Sequence, residues 1–271
     1  MKYSIKYYKG CSCLRDADEL ILKFNEPSPE LIDFINNQAG TWQRIVLDAS
    51  DYIACDIGEN MELFKEANEL LNGNFAIKLD NSMFRGICNE FKENDIKFFF
   101  YNKNLTLDDI RNLVEFGVSD VYVTNELAFN MEKIATYCHR YDVNVRTLPN
   151  VAQDRWNSIP NYKEENEITK FFIRPEDLYL YEGYVDFIEF FVESVEDLPK
   201  QETFYKIYKT DGFWKDNLSV IISGLKTNIN NTFILPIFGE TRLKCNKRCD
   251  YGECNLCPLF VKLSKNIEEK I

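Results

Sequence analysis

The chain has 271 residues, 45% of them hydrophobic, with a formal charge of −12, a pI near 4.8 and a single histidine, His139. That length suits one large core, since a barrel of about 250 residues is an ordinary single-domain size. The acidic balance argues against broad, non-specific DNA or other nucleic-acid binding, and the lone histidine disfavours His-based triads and His-rich zinc sites.

No stretch approaches the roughly eighteen apolar residues of a membrane span. The opening Met1-Lys-Tyr-Ser-Ile-Lys-Tyr-Tyr8 lacks the apolar core of a secretory signal. A cytoplasmic location, with thiols kept reduced, is the expectation.

Along the chain, strands alternate with helices. A first strand is predicted over residues 19–24, followed by a helix capped by Ser28, with Pro29 in its first turn and Gly40 at its end. A second strand over 44–48 precedes a helix from about 59 to 72, whose apolar face is Leu63, Ala67, Leu70 and Leu71. Strands three to six fall at 75–79, 96–101, 120–124 and 143–147. Thr106 with Asp109 three residues on predicts a capped helix that ends at Gly117, and a further helix covers about 127–140. The apolar runs at 170–173 and 185–191 read as strands seven and eight.

Eight strands, most followed by a helix, imply a parallel sheet closed into an α/β fold of the (β/α)8, TIM-like kind, over residues 1–200. Residues 201–271 then form a C-terminal appendage with a cysteine loop, an aromatic run at 204–208 that reads as core, and a helix near 217–225. An open doubly wound sheet is the runner-up, but neither G-x-G-x-x-G nor G-x-x-x-x-G-K-[ST] occurs.

Cys245, Cys249, Cys254 and Cys257 lie within thirteen residues, spaced C-x3-C-x4-C-x2-C. Four thiolates so close can converge on one metal or cluster, and a reducing compartment disfavours disulfides. Lys244, Lys247 and Arg248 would offset the charge of a zinc tetrathiolate, whereas Pro258 after the last cysteine matches the ending of ferredoxin-type runs. Spacing leaves Zn2+ and a [4Fe–4S] cluster both open. Cys11 and Cys13 read as packing residues, and Cys55, Cys88 and Cys138 as core thiols.

Barrel enzymes work at the C-terminal ends of their strands. The residues predicted there include Asp48, Ser50, Asp80, Asn81, Tyr101, Asn102, Asn125, Glu126, Asn150 and Glu189, together with the arginines Arg146 and Arg174 and with Glu176. Carboxylates beside arginines could bind a polar substrate and move protons. Several of these positions also suit helix caps. An arginine leaving a buried strand needs a partner or a ligand, which singles out Arg146 and Arg174. His139, late in a helix, suits the helix dipole better than catalysis.

Four stretches resemble the peptidase U32-like family: Val118-Ser-Asp-Val-Tyr-Val-Thr-Asn125, Val143-Asn-Val-Arg-Thr-Leu-Pro-Asn150, Ile173-Arg-Pro-Glu-Asp-Leu178 and Asp186-Phe-Ile-Glu-Phe-Phe191. With the cysteines, the likeness covers about residues 75–191 of the barrel. It implies a barrel with a [4Fe–4S] cluster on Cys245, Cys249, Cys254 and Cys257, and it tips the metal reading toward iron–sulfur. It also implies oxygen-independent hydroxylation of RNA bases or small molecules, or a peptidase-like activity. The chain departs from the family in its tightly packed, late cysteines and in Val192-Glu193-Ser194, where the family carries His-Gly.

The sequence therefore sets up an enzyme acting on a polar small molecule or RNA. Arg174, Glu176 and Arg146 are its catalytic candidates, and Asp48, Asn125, Asn150 and Glu189 its substrate-binding candidates. The rival is a non-catalytic barrel with a structural zinc staple, serving as a binding or assembly protein.

Overall fold

The computed structural model describes residues 1–8, 17–24, 28–38, 40–52, 54–80, 85–101, 105–124, 130–151, 172–192, 195–210, 213–225, 229–234 and 236–243. Eight parallel strands run β1 (Lys2–Tyr8), β2 (Glu19–Lys23), β3 (Arg44–Asp48), β4 (Phe75–Asp80), β5 (Lys97–Tyr101), β6 (Asp120–Tyr122), β7 (Asn144–Thr147) and β8 (Phe187–Glu189). Their hydrogen-bonded order, β5-β4-β3-β2-β1-β8-β7-β6, makes a nearly closed barrel. Among the described residues, no ladder joins β5 to β6; Ser119 N–H donates to Phe98 O at 2.9 Å across that seam. The expected TIM-like barrel is present, and the open-sheet alternative is not.

The strand count matches expectation, but two members differ. Residues 2–8 form β1, between β2 and β8, although no strand was expected there. Its inward residues, Lys2, Ser4 and Lys6, are polar, so the apolar signature of a buried parallel strand is missing. Only the outward Tyr3, Ile5 and Tyr7 carry it, with Tyr7 stacked on Phe34 at 4.8 Å. Conversely, the run at 170–173 makes no ladder at Phe172 or Ile173. β7 pairs directly with β8, which leaves no place between them for another strand.

Helices cover the barrel: α1 (Pro29–Gln38), α2 (Ala54–Glu59), α3 (Met61–Leu70), α4 (Arg85–Glu93), α5 (Leu107–Phe116), α6 (Met131–Arg140), α7 (Leu198–Lys209) and the short α8 (Phe238–Leu243). The helix expected over about 59–72 is α3, and α2 is a separate short helix before it that was not expected. The Thr106–Asp109 capping box forms in full, and Gly117 closes α5 at φ 83°, a left-handed conformation that costs glycine little.

The boundary expected at 200/201 falls inside α7, whose Phe204, Tyr205 and Tyr208 are buried against the barrel. Tyr205 meets Tyr3 edge-on, and Tyr208 packs on Phe190. The aromatic run is thus core, and α7 is the barrel's last covering helix. Residues 218–220 form a 3-10 turn where an α-helix was expected. Among the described residues, no helix is long and apolar enough to cross a membrane.

Strand side chains alternate between two cores. The outward set packs under the helices, with Leu20, Ile45, Ile77, Phe98 and Val121 among its fully buried members. The inward set builds three layers inside the barrel. The middle layer is apolar: Ile21, Val46, Ala76, Phe99, Tyr122 and Leu148. One step of two residues along each strand, in either direction, reaches a charged layer.

Candidate active site at the barrel mouth

The layer at the strand starts is a closed set of charges. Arg146 donates through Nη1 to Glu19 Oε1 at 2.7 Å, through Nη2 to Glu19 Oε2, and through Nε to Asp120 at 3.0 Å. Arg44 grips both oxygens of Asp120, at 2.8 and 2.6 Å. Ser4 Oγ donates to Glu19 at 2.7 Å, and Ser119 Oγ to Asp120 at 2.6 Å. Burial works to raise the Asp120 pKa, but Arg44 and Arg146 outweigh it and hold the carboxyl well below its usual range.

The layer at the strand ends differs in composition. Lys6 comes from β1, Lys23 from β2, Asp48 from β3, Lys78 from β4, Tyr101 from β5 and Glu189 from β8; Tyr122 reaches up from the middle layer. Three ammonium groups share two buried carboxylates. Lys78 Nζ lies 2.9 Å from Glu189 Oε1 and 3.6 Å from Asp48 Oδ2, over the Tyr101 ring at 4.7 Å. The Tyr122 hydroxyl donates to Glu189 Oε2 in a short hydrogen bond. Lys23 pairs with Asp48 at 3.5 Å and with the exposed Asp51 at 2.7 Å. Ser50 closes on Asp48 through both its hydroxyl, at 2.6 Å, and its backbone N–H, at 3.2 Å.

Burial alone would raise the Asp48 and Glu189 pKa values. Lys78 leads the groups that reverse this, with Lys23 and Lys6 behind it at Asp48 and Lys6 at Glu189, so both carboxyls stay ionised. Burial would strip the Lys78 proton, but Glu189, Tyr122 and Asp48 hold it, and the pKa rises well above that of a free lysine. Burial pushes the Tyr101 phenol up to about 12, helped by the Glu189 charge. Lys6 goes the other way: burial first, and Lys78 second, lower its pKa.

Of the residues expected from the sequence, the fold brings Asp48 and Glu189 together through Lys78. Arg146 lies in the opposite layer, fully buried, with its donors on Glu19, Asp120 and Ser4. It is a member of the charge lock rather than of the mouth. Asn150 is fully buried and spends its amide on one neighbour, accepting from Phe191 N–H at 2.8 Å and donating to Phe191 O at 3.2 Å. That contact ties the end of β7 to the end of β8.

Arg174 and Glu176 sit together in a third place, at the start of a 3-10 helix (Pro175–Tyr181). Arg174 clasps Asp177 at 2.5 and 2.8 Å, reaches Asn231 at 3.2 Å and covers the Phe238 ring at 5.1 Å. Glu176 is 3.2 Å from Arg174, and it accepts from Asn231 Nδ2. This network pins Asn231 and Phe238 to the β7–β8 connection. Gly239 is part of the same fit, since a Cβ there would run into the Asp177 carboxylate.

Asn125, Asn81, Asn102 and Glu126 lie outside the described residues, as do Cys11, Cys13, Cys245, Cys249, Cys254 and Cys257. Among the described residues, no group of three or more His, Cys, Asp or Glu side chains is placed to hold a metal. Cys88 and Cys138 are buried thiols, and burial pushes them up to about 11 and about 12. His139 ends α6 as expected and gains a partner the sequence did not indicate, with Nε2 2.8 Å from Asp186 Oδ2.

Sequence reading missed Lys6, Lys23, Lys78 and Tyr122. A signal was present for Lys78: a lysine inside Phe75-Ala-Ile-Lys-Leu79 is a cation in an apolar strand and requires a buried partner. Nothing comparable marks Lys6, because the strand that carries it was not foreseen.

Fold and site together define a parallel α/β barrel whose interior is polar at both ends and whose strand-end layer holds a lysine–carboxylate–tyrosine cluster. No protein-family model matches the chain, and no curated protein matches it significantly.

Proposed function

We propose that the chain is an enzyme that acts on a small, polar, anionic molecule at the C-terminal ends of its barrel strands. The observation that carries this reading is the Lys6–Lys23–Lys78–Asp48–Glu189 cluster, which draws one residue from each of five strands to the end where barrel enzymes work. Titratable groups displaced from their ordinary pKa values concentrate at functional sites. Asp48, Glu189, Lys6 and Tyr101 are all so displaced, and in different directions. Asp48 and Glu189 supply carboxylates for proton transfer, and the lysines supply cations that attract and orient an anionic group.

An iron–sulfur cluster on Cys245, Cys249, Cys254 and Cys257 belongs to the same proposal on the strength of the cysteine spacing and the U32-like resemblance. It would add redox chemistry, with hydroxylation of an RNA base or small molecule as the reaction those similarities favour; zinc is the alternative ligand. Protein purified without oxygen should be brown, with iron bound to the thiolates. Colourless protein holding one zinc removes the redox part.

The mouth itself is tested separately. Small carboxylates and phosphates should raise the melting temperature of the wild-type chain, and Lys23→Ala should weaken that response. A chain indifferent to every such anion would overturn the proposal.

A further inference from the structure

Three lysines meet at the mouth, and their surroundings are unequal. Lys78 is enclosed by Glu189, Asp48 and two tyrosine rings. Lys23 is held by Asp51, Ser50 and Asp48. Among the described residues, the ion-pair partner of Lys6 Nζ is Glu189 Oε1 at 3.6 Å, which is beyond hydrogen-bond length. That oxygen is already taken by Lys78 at 2.9 Å, and the other Glu189 oxygen by Tyr122. The Lys6 side chain is 13% exposed, against 3% for Lys78; Lys23, at 17%, is more open, but its amine is held by Asp51 and Ser50.

The backbone under Lys6 is held with unusual care. β8 pairs with β1 only as far as Ser4. Beyond that point the Gln201 side chain from α7 replaces the strand: its Oε1 accepts from Lys6 N–H at 2.7 Å, and its Nε2 donates to Lys6 O at 3.0 Å. Gln201 is itself buried. A side-chain amide that imitates a strand at one residue fixes where that residue's amine stands.

We propose that Lys6 is a nucleophile that forms an imine with a small carbonyl compound carrying an anionic group, such as a 2-oxo acid. The inference rests on the proposed function and names its substrate class. The Lys6 nitrogen attacks the carbonyl carbon, forming a C–N bond while the carbonyl π pair moves to oxygen. Glu189 takes a proton from the attacking nitrogen and passes it to the alkoxide, giving the neutral carbinolamine. It then takes the second nitrogen proton and passes it to the carbinolamine hydroxyl, which leaves as water as the C=N bond forms. Amine and carbonyl become imine and water, with no oxidant or reductant. A buried lysine beside a second cation is the known setting for an amine that is unprotonated and reactive near neutral pH, and burial and Lys78 act on Lys6 in that direction. Gln201 is a positioning residue in this scheme.

The test incubates the full chain with pyruvate and borohydride at pH 7 and maps reduced adducts by peptide mass. One adduct per chain is expected, on Lys6, forming faster than on the exposed Lys206, since burial and the neighbouring Lys78 charge favour the free amine at Lys6. Lys6→Arg places a cation that cannot form the imine, should still give a cooperative melting transition, and should lose the adduct. Adducts spread over surface lysines with no excess at Lys6 overturn the proposal. The melting shift with lactate, an anion of the same size without a carbonyl, separates the two readings. A lactate shift without a Lys6 adduct removes the imine and leaves the anion site. No shift and no adduct removes both.

Discussion

The two ends of the barrel interior solve the same problem differently. At the strand starts, two arginines face two carboxylates, and planar guanidinium forks occupy the carboxylate oxygens at hydrogen-bond distance. At the strand ends, three lysines face two buried carboxylates, and one amine is left at 3.6 Å. Arginine's fixed fork suits a permanent lock, while lysine's single amine can change protonation state and react. The first layer holds the barrel together where its β5–β6 seam lacks a ladder, with Arg44 of β3 and Arg146 of β7 both on Asp120 of β6. The second layer is the one proposed to bind a ligand.

The contrast is broken most severely by Arg146→Met. It leaves Glu19 and Asp120 buried with only Arg44 between them, and should cost about 3–5 kcal/mol of stability in chemical denaturation. A cost below about 1 kcal/mol would show that the lock does not hold the barrel.

Acid challenges both layers at once. Asp48, Asp120 and Glu189 have folded pKa values below their unfolded ones. Their contribution is therefore complete above the ordinary carboxylate range, about pH 4, and fades as pH falls from there toward the folded values. The melting temperature should be level from pH 7 to 5 and drop steeply below about 4, by the equivalent of a few kcal/mol. A melting temperature that rises on acidification would mean the carboxyls are not ionised in the fold.

Removing the side chain that stands in for a strand is milder. Gln201→Ala exposes two Lys6 backbone groups to an apolar setting, and should cost about 1–3 kcal/mol. It should also slow imine trapping at Lys6. Thr106→Ala strikes an exposed helix cap whose side-chain partner is Asp109; about 1 kcal/mol lost, with trapping unchanged, is the expected control. The smallest effect belongs to the buried thiols: Cys88 and Cys138 should resist iodoacetamide at pH 8 in the native state, because burial keeps them protonated.

Much of the fold was legible in order of residues alone. Apolar runs at Arg44–Asp48 and Phe75–Asp80, the Thr106–Asp109 cap and the Gly117 stop are local signals, and local physics enforces them. Asp48 and Glu189 were found because a carboxylate ending a barrel strand faces the working end. The identity of the first strand was not legible, since Lys2, Ser4 and Lys6 interrupt the apolar pattern. Their polarity makes sense only once the strand has polar neighbours inside a closed barrel. For the same reason Phe172 and Ile173, apolar enough for a strand, lost that place to direct pairing of β7 with β8.

The sequence by itself determined the alternation of strands and helices and the parallel barrel. Only the tertiary structure decided that Arg146 locks one end while Lys6, Lys78 and Glu189 meet at the other. Those contacts join residues as far apart as Lys78 and Glu189, and parallel register, not sequence spacing, sets which inward side chains share a layer.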